Sequence, residues 1–380
     1  MISTHTFVSV SFSEFKAKFT HALNTIEFKP TLAFAFISVE FSFPSIVDMF
    51  KEQHITLFGS STAGEILFDS TTNYIGDKSV VVVLTDIPFS CFKLHFLNRG
   101  KLTSYELGQM LGNKIKDSFS YPSAIIGSSG ILMDGQALVE GVLSKTGKQF
   151  VMFGGLAGDD ALFEKTFVFT DQAISDDGAI VLVFDQSKIE LSGMTSSGWV
   201  SLGAEFIVNR SVGNTVFEIN GLPALNMYMD YLNVKEDDLP GIGIEYPFMV
   251  KNRDGTSVLR AVTGIDKEQR SLIFAGSVAQ GSIVSFSTSP GFEIMENTRD
   301  KIISYHDKNQ KTDLMLLFSC IARNIALGPL ISTEIKLASI KWRKPLAGFF
   351  TYGEVGNNEN GHCSFYNQTF TLALIREKRK

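Results

Sequence analysis

The chain has 380 residues, 44% of them hydrophobic and 19% charged, and carries a net charge of −6 at pH 7. The composition excludes a disordered polymer, and the length exceeds what one hydrophobic core usually serves, so two domains or two similar halves are expected. The acidic balance excludes nucleic acid as the main partner, because no excess of Lys and Arg exists to neutralise phosphates.

Phe12, Phe15, Phe19, Leu23 and Ile26 recur at helical spacing, with Ser11 or Ser13 able to cap the start, which predicts an opening amphipathic helix. Thr31 to Val39 reads as a buried strand, and Pro44 stands at the start of a short helix over Ser45 to Gln53. Strands follow at Ile55 to Phe58, Ser79 to Leu84 and Ser90 to Leu97, then a helix over Thr103 to Phe119. The pattern repeats in kind: a strand Ser123 to Ile126, a helix from Asp134 to Lys145, and a strand Phe150 to Phe153. Three strands thus run into turns of glycine and hydroxyl residues, and helices between strands favour parallel pairing that would gather these turns at one sheet edge.

From Thr166 onward β-pattern dominates: Thr166 to Thr170, Ala179 to Phe184, Ile189 to Gly193, Glu205 to Asn209 and Thr215 to Ile219. A helix over Pro223 to Leu232 interrupts it, and strands resume around Ser257 to Thr263, Leu272 to Ala275 and Ser282 to Phe286. A helix around Ile294 to His306 precedes strands Leu314 to Ser319 and Leu346 to Phe350; Asn357 to Gly361 is a loop by composition. The fold class expected is α+β, with mixed β-sheets flanked by helices and two related halves packed together. The boundary is placed so that residues 1–215 form one region and 216–380 the other.

The most informative motif is Gly59-Ser60-Ser61-Thr62-Ala63-Gly64-Glu65 at the end of an apolar strand. A strand end of this kind gathers backbone N–H groups and side-chain oxygens where α/β proteins bind ligands. Gly59 and Gly64 have P-loop spacing, but Glu65 replaces the lysine and Ile66 the magnesium-binding hydroxyl, so a polyphosphate would be repelled. A hydrolase elbow fails too, since Ala63 stands where G-x-S-x-G needs glycine after Ser61. What is left is a neutral polar loop with one carboxylate, suited to a zwitterion such as an amino acid, or a Thr62-x-x-Glu65 capping box that needs no ligand. Thr351-Tyr352-Gly353-Glu354 echoes this loop and favours one site shared between the halves. Asp134 reads as a helix cap; Asp159-Asp160 and His362-Cys363 lack the further ligands of a metal site.

The 33 phenylalanines point to a large core or an apolar pocket. Cys91, Cys320 and Cys363 form no disulfide framework, which fits a reducing compartment. The start Met1 to His5 has no signal-peptide pattern, and no apolar run approaches the ~20 residues of a spanning helix, so a cytoplasmic protein with no membrane partner is expected.

The motif Gly59 to Glu65, with Gly154-Gly155-Leu156-Ala157-Gly158-Asp159-Asp160, Asp176-Asp177-Gly178-Ala179, Ser319-Cys320-Ile321-Ala322-Arg323, Gly348 to Glu354 and Asn367-Gln368-Thr369, resembles the FIST domain family of sensory proteins. The resemblance covers nearly the whole chain, with the N- and C-terminal FIST regions in order and the look of a stand-alone bacterial-type member. It implies a non-enzymatic signal-transduction sensor for a small ligand, an amino acid being the leading class. The signal would pass by contact to a partner such as a histidine kinase or cyclase. It also implies an alternative, a haem-binding nitric oxide sensor regulating a histidine kinase, although none of His5, His21, His54, His95, His306 or His362 sits in a marked haem motif. An enzyme using Cys320 or Ser61 ranks last. The expected pocket is lined by Ser60, Ser61, Thr62, Gly155, Tyr352 and Glu354, with Glu65 and Arg323 as charge partners.

Overall fold

Leu32-Ala33-Phe34-Ala35-Phe36-Ile37 is a strand with no polar face, and its alternate residues enter different cores. Leu32, Phe34 and Phe36 join one cluster, while Ala33, Ala35 and Ile37 join another. A strand buried on both sides must lie in the middle of a layered structure. The computed structural model, which describes residues 1–239, 241–251, 257–289 and 291–378, places it there.

Three units of one topology build the molecule. In the first, the strands Thr4–Ser9, Val80–Thr85, Leu32–Ile37 and Thr56–Ser61 lie side by side in that order. The second repeats the order with Phe92–Asn98, Gly178–Asp185, Pro122–Ser128 and Met152–Leu156, and the third with Ile189–Ser196, Phe370–Glu377, Leu314–Cys320 and Leu346–Thr351. In every unit the last two of these strands pair in parallel and the other neighbours pair antiparallel. Mixed sheets flanked by helices are the α+β class that the sequence predicts, and the internal relation extends over three units.

Each unit also sends a hairpin into the next sheet. Glu65–Phe68 pairs with Leu346–Thr351 of the third unit. Val168–Phe169 pairs with Thr56–Ser61 of the first, and Glu354–Asn357 with Met152–Leu156 of the second. The exchange is therefore cyclic. The inner faces of the three sheets meet in one core that includes Phe34, Phe36, Phe58, Ile125, Phe153, Phe318 and Phe349, and helices cover the outer faces. Phe36 and Phe349, from different units, stand 4.8 Å apart between ring centroids.

At the centre of the exchange the turns that follow Thr56–Ser61, Met152–Leu156 and Leu346–Thr351 bond to one another through their backbones. Ala63 N–H donates to the Phe350 carbonyl (2.9 Å) and Phe350 N–H to Gly64 (2.8 Å). Gly158 N–H donates to Ser61 (3.1 Å), Asp160 N–H to Thr62 (2.8 Å) and Leu156 N–H to Gly353 (2.8 Å). Of the three turns expected to share a sheet edge, those that follow Pro122–Ser128 and Met152–Leu156 do end neighbouring parallel strands of one sheet, whereas the turn after Thr56–Ser61 ends another; the three sheets converge on an axis. Thr62-x-x-Glu65 is likewise not a helix cap. Glu65-Ile66-Leu67-Phe68 alternates between two cores, Ile66 and Phe68 in one and Leu67 in the other, so a strand follows.

The described residues between Val200 and Thr288 form an antiparallel sheet inserted in the third unit, closed by the helix Ala224–Leu232 over its own core. The first strand, Thr4–Ser9, and the helices Ile321–Leu327 and Ile331–Trp342 escape the periodicity reading. They are short or of weak amphipathic contrast, and packing stabilises them where local pattern does not.

The turn knot leaves no room for side chains. A Cβ on Gly158 would lie 2.5 Å from Ala63 N and 2.8 Å from the Thr62 carbonyl carbon. Gly158→Ala should therefore destabilise the protein by about 1–3 kcal/mol, read as a lower urea midpoint. Gly241→Ala, at a position with nothing among the described residues within 4 Å of the added Cβ, should move the midpoint little.

Candidate functional site

The knot carries three carboxylates in equivalent places: Glu65, Asp159 and Glu354 each follow a glycine in the turn that ends a unit's last inner strand. Glu65 accepts from the Thr62 hydroxyl and from Ser79 N–H (3.2 Å) and Oγ (2.7 Å). Glu354 repeats the arrangement with the Thr351 hydroxyl and with Thr369 N–H (3.1 Å) and Oγ1 (2.7 Å). Lys78 and Gln368, immediately before these N–H donors, both adopt left-handed φ (54° and 56°), which re-aims the chain toward the carboxylate. Both glutamates are fully buried. Burial outweighs the hydrogen bonds and raises Glu65 to about 8 and Glu354 to about 7.

Asp159 does different work. Its oxygens accept Phe163 N–H (2.9 Å), Glu164 N–H (2.6 Å) and Lys165 N–H (2.8 Å), and the Tyr352 hydroxyl donates to it as well. Asp160, Ala161 and Phe163 in the loop so gathered all have left-handed φ (54°, 63° and 57°). Non-glycine residues at such angles cost about 1–3 kcal/mol each, so the carboxylate holds a strained loop in place. Leu162 at its tip is 58% exposed.

Of the residues expected to line a pocket, Ser60, Ser61, Thr62, Glu65, Gly155 and Glu354 are brought together, but in the buried knot. Ser61 Oγ donates to Gly158 (2.6 Å) and accepts Phe167 N–H (2.7 Å). Arg323 is fully buried and forms an ion pair with Glu334, bonding also to Thr298 Oγ1 (3.0 Å) and the Gln368 carbonyl (3.3 Å). Tyr352, by contrast, lines a cavity.

That cavity, of about 210 Å³, lies where the second unit, the third unit and the inserted sheet meet. Gly130, Met133 and Phe163 come from the second unit; Thr263, Gly264, Ile273 and Phe274 from the inserted sheet; Cys320, Tyr352, Asn367 and Gln368 from the third. Phe163 stacks on Tyr352 with ring centroids 4.7 Å apart and planes within 10°. Among the described residues no charged side chain lines the cavity. Two of its polar side chains carry orphan atoms: both amide atoms of Asn367, which is 1% exposed, and Gln368 Oε1 have no partner among the described residues. Such atoms are rare in native interiors and mark a place for a bound group. Asn367-Gln368 is legible as a motif but not as a site, because nothing in the sequence tells that its amides are unpaired. The apolar lining carries no signal at all.

Burial, and then Glu354 beside it, push the Cys320 thiol well above its ordinary value, so it stays protonated. Cys363 is buried and His362 exposed. Among the described residues no group of three His, Cys, Asp or Glu side chains is placed to hold a metal ion, and none of the helices is long and apolar enough to cross a membrane.

Because the folded-state values of Glu65 and Glu354 lie above the usual 4.5, the folded protein binds these protons more tightly than the unfolded chain. Their contribution to stability is complete below about pH 4.5 and is lost as pH rises to about 8. The double variant Glu65→Gln/Glu354→Gln should lose this fall between pH 5 and 8, measured as the difference in unfolding free energy from the wild type. A parallel pH dependence in both proteins would mean that the glutamates are ionised when buried.

Comparison with protein families finds the FIST N domain over residues 31–222 and the FIST C domain over residues 224–357. The cavity is lined from both matched regions, with Asn367 and Gln368 just beyond the second. A comparison with curated proteins found no match. With its sequence motifs distributed through the three-unit frame and both domains matched in order, the chain belongs to the FIST family of sensory domains.

Proposed function

We propose that this protein is a non-enzymatic sensor that binds a small, neutral, polar molecule in the cavity between its FIST N and FIST C regions. The observation that carries this reading is the buried Asn367 carboxamide, which offers a donor and an acceptor with no partner among the described residues, in a cavity whose described lining is uncharged. A molecule that presents its own acceptor and donor side by side, as an amide does, satisfies both atoms; Gln368 Oε1 can take a second donor. An amino acid remains within the class only if the ligand's charges lie outside the lining, since a zwitterion asks for opposite charges that this cavity does not supply.

The output follows from Tyr352. Its ring stacks on Phe163 at the cavity wall, and its hydroxyl donates to Asp159, the carboxylate that gathers the strained loop 159–165. A ligand that presses on this stack changes the stability of the loop, and with it the presentation of exposed Leu162 to a partner. A signalling protein such as a histidine kinase or cyclase is the receiving class in this reading. Catalysis is disfavoured by the protonated Cys320 thiol and by the hydrogen bonds that occupy Ser61 Oγ.

A haem is a poor fit. The candidate axial ligands in the lining are Met133, Cys320 and Tyr352, with the thiol protonated and the phenol committed to Asp159. At about 210 Å³ the cavity is also below the roughly 300–1,000 Å³ of ordinary cofactor sites.

A thermal-shift screen of the amino acids and of small amides (acetamide, urea, nicotinamide) tests the reading. At least one neutral amide should raise Tm with ligand concentration as mass action requires, by about 2.7 kcal/mol of stabilisation at a hundredfold excess over Kd. Gly264→Leu should abolish the shift, because a Cβ there meets only Ile273, at 3.6 Å, and the rest of the side chain fills the cavity. A shift retained in Gly264→Leu would place the ligand elsewhere.

A further inference from the structure

Asn367 is a wall with two sides. Behind it lies a second cavity of about 390 Å³, bounded by Trp199 and Ser197 at the end of the third unit's first strand and by the hairpin loop Asn358 to Asn360. Trp199 is 5% exposed, and neither its indole N–H nor Ser197 Oγ has a partner among the described residues. An indole nitrogen donates and never accepts, so what meets it must be an acceptor. Asn367 adds an unpaired amide N–H to the same wall. Lys301 and Glu359 stand at the rim, 3.2 Å apart and 43% and 79% exposed. Behind the indole ring, Arg323 lies 5.7 Å from its centroid, with its charge already matched by Glu334. Met249 and Leu259 give the cavity an apolar side. The unpaired atoms of the buried wall are thus three donors, the Trp199 indole N–H, the Asn367 amide N–H and the Ser197 hydroxyl, against the oxygens of Asn367 and Ser197. An ammonium paired with the exposed Glu359 carboxylate stands at the mouth, and the opposite side is apolar.

We propose that this second cavity is a binding site for a small organic monocarboxylate. The indole N–H of Trp199 and the amide N–H of Asn367 donate to the carboxylate oxygens, Ser197 supplies a further hydroxyl, and Lys301 exchanges its exposed rim partner Glu359 for the ligand carboxylate. The apolar body of the ligand rests against Met249 and Leu259. The two sites share Asn367, whose Nδ2 carries two N–H groups, but Trp199, Ser197 and Lys301 line the second cavity and not the first, so variants of Ser197 and Lys301 test this site without touching the other.

The chain has two tryptophans, so in Trp342→Phe the emission excited at the indole edge reports Trp199 alone. Propionate and benzoate should each change that emission saturably at constant ionic strength, while propionamide, benzamide and benzylamine should not. Ser197→Ala and Lys301→Met should each weaken carboxylate binding about tenfold, the scale of one charge-assisted hydrogen bond. Calorimetric titration of the wild-type chain with benzoate and benzamide should give the same ranking without relying on Trp342→Phe folding. Equal responses to acids and amides, a response to benzylamine alone, or no saturable response in either measurement would overturn the proposal. So would carboxylate affinity unchanged in both Ser197→Ala and Lys301→Met. A failed amide screen in the first cavity, with carboxylate binding intact here, would count against the sensor reading alone.

Discussion

The backbone hydrogen bonds among the three turns are the constraint from which the rest of this structure follows. Each turn ends an inner strand of one unit and starts a hairpin that joins another unit's sheet, so the three crossings must pass one another at the axis. Only small residues allow it: Gly158 has Ala63 N where its Cβ would be. The polar groups drawn in with the turns are then satisfied locally, Glu65 by Thr62 and Ser79, Glu354 by Thr351 and Thr369, Asp159 by Tyr352 and its own loop. The residues that look most like a ligand loop in the sequence are thereby consumed by the scaffold.

This division explains what could be read from the sequence. Strands buried on both faces, such as Leu32–Ile37 and Gly178–Asp185, are apolar runs bounded by turn residues, and both are anticipated closely. Asp134, read as a cap, accepts Ala137 N–H at 3.0 Å. The echo between Thr62-x-x-Glu65 and Thr351-x-x-Glu354 is also real, since both pairs make the same contacts. Its meaning was not legible. A hydroxyl and a carboxylate three residues apart read the same whether they cap a helix, line a pocket or bridge two strands, and only the exchange of hairpins between units decides. Arg323 is a similar case, because its partner Glu334 lies on a helix with no clear apolar period.

The knot and the cavity are nonetheless connected. Tyr352 belongs to the third turn and to the cavity wall, and Cys320 lines the cavity while its thiol lies against Glu354. Rigid groups therefore stand on one side of the cavity, and the inserted sheet with its own core stands on the other. Such a site can register occupancy by altering what is least stable around it. The loop 159–165, with three left-handed non-glycine residues tied to one carboxylate, is the element that meets that description.

Native-state hydrogen exchange measures this contrast most directly. The amides of Ala63, Leu156 and Gly158, bonded across the knot, should exchange only through global unfolding, at the free energy found by denaturant titration. The amides of Phe163, Glu164 and Lys165 should open at a distinctly lower free energy. Knot amides that exchange by local opening, as easily as those of the loop, would contradict the account.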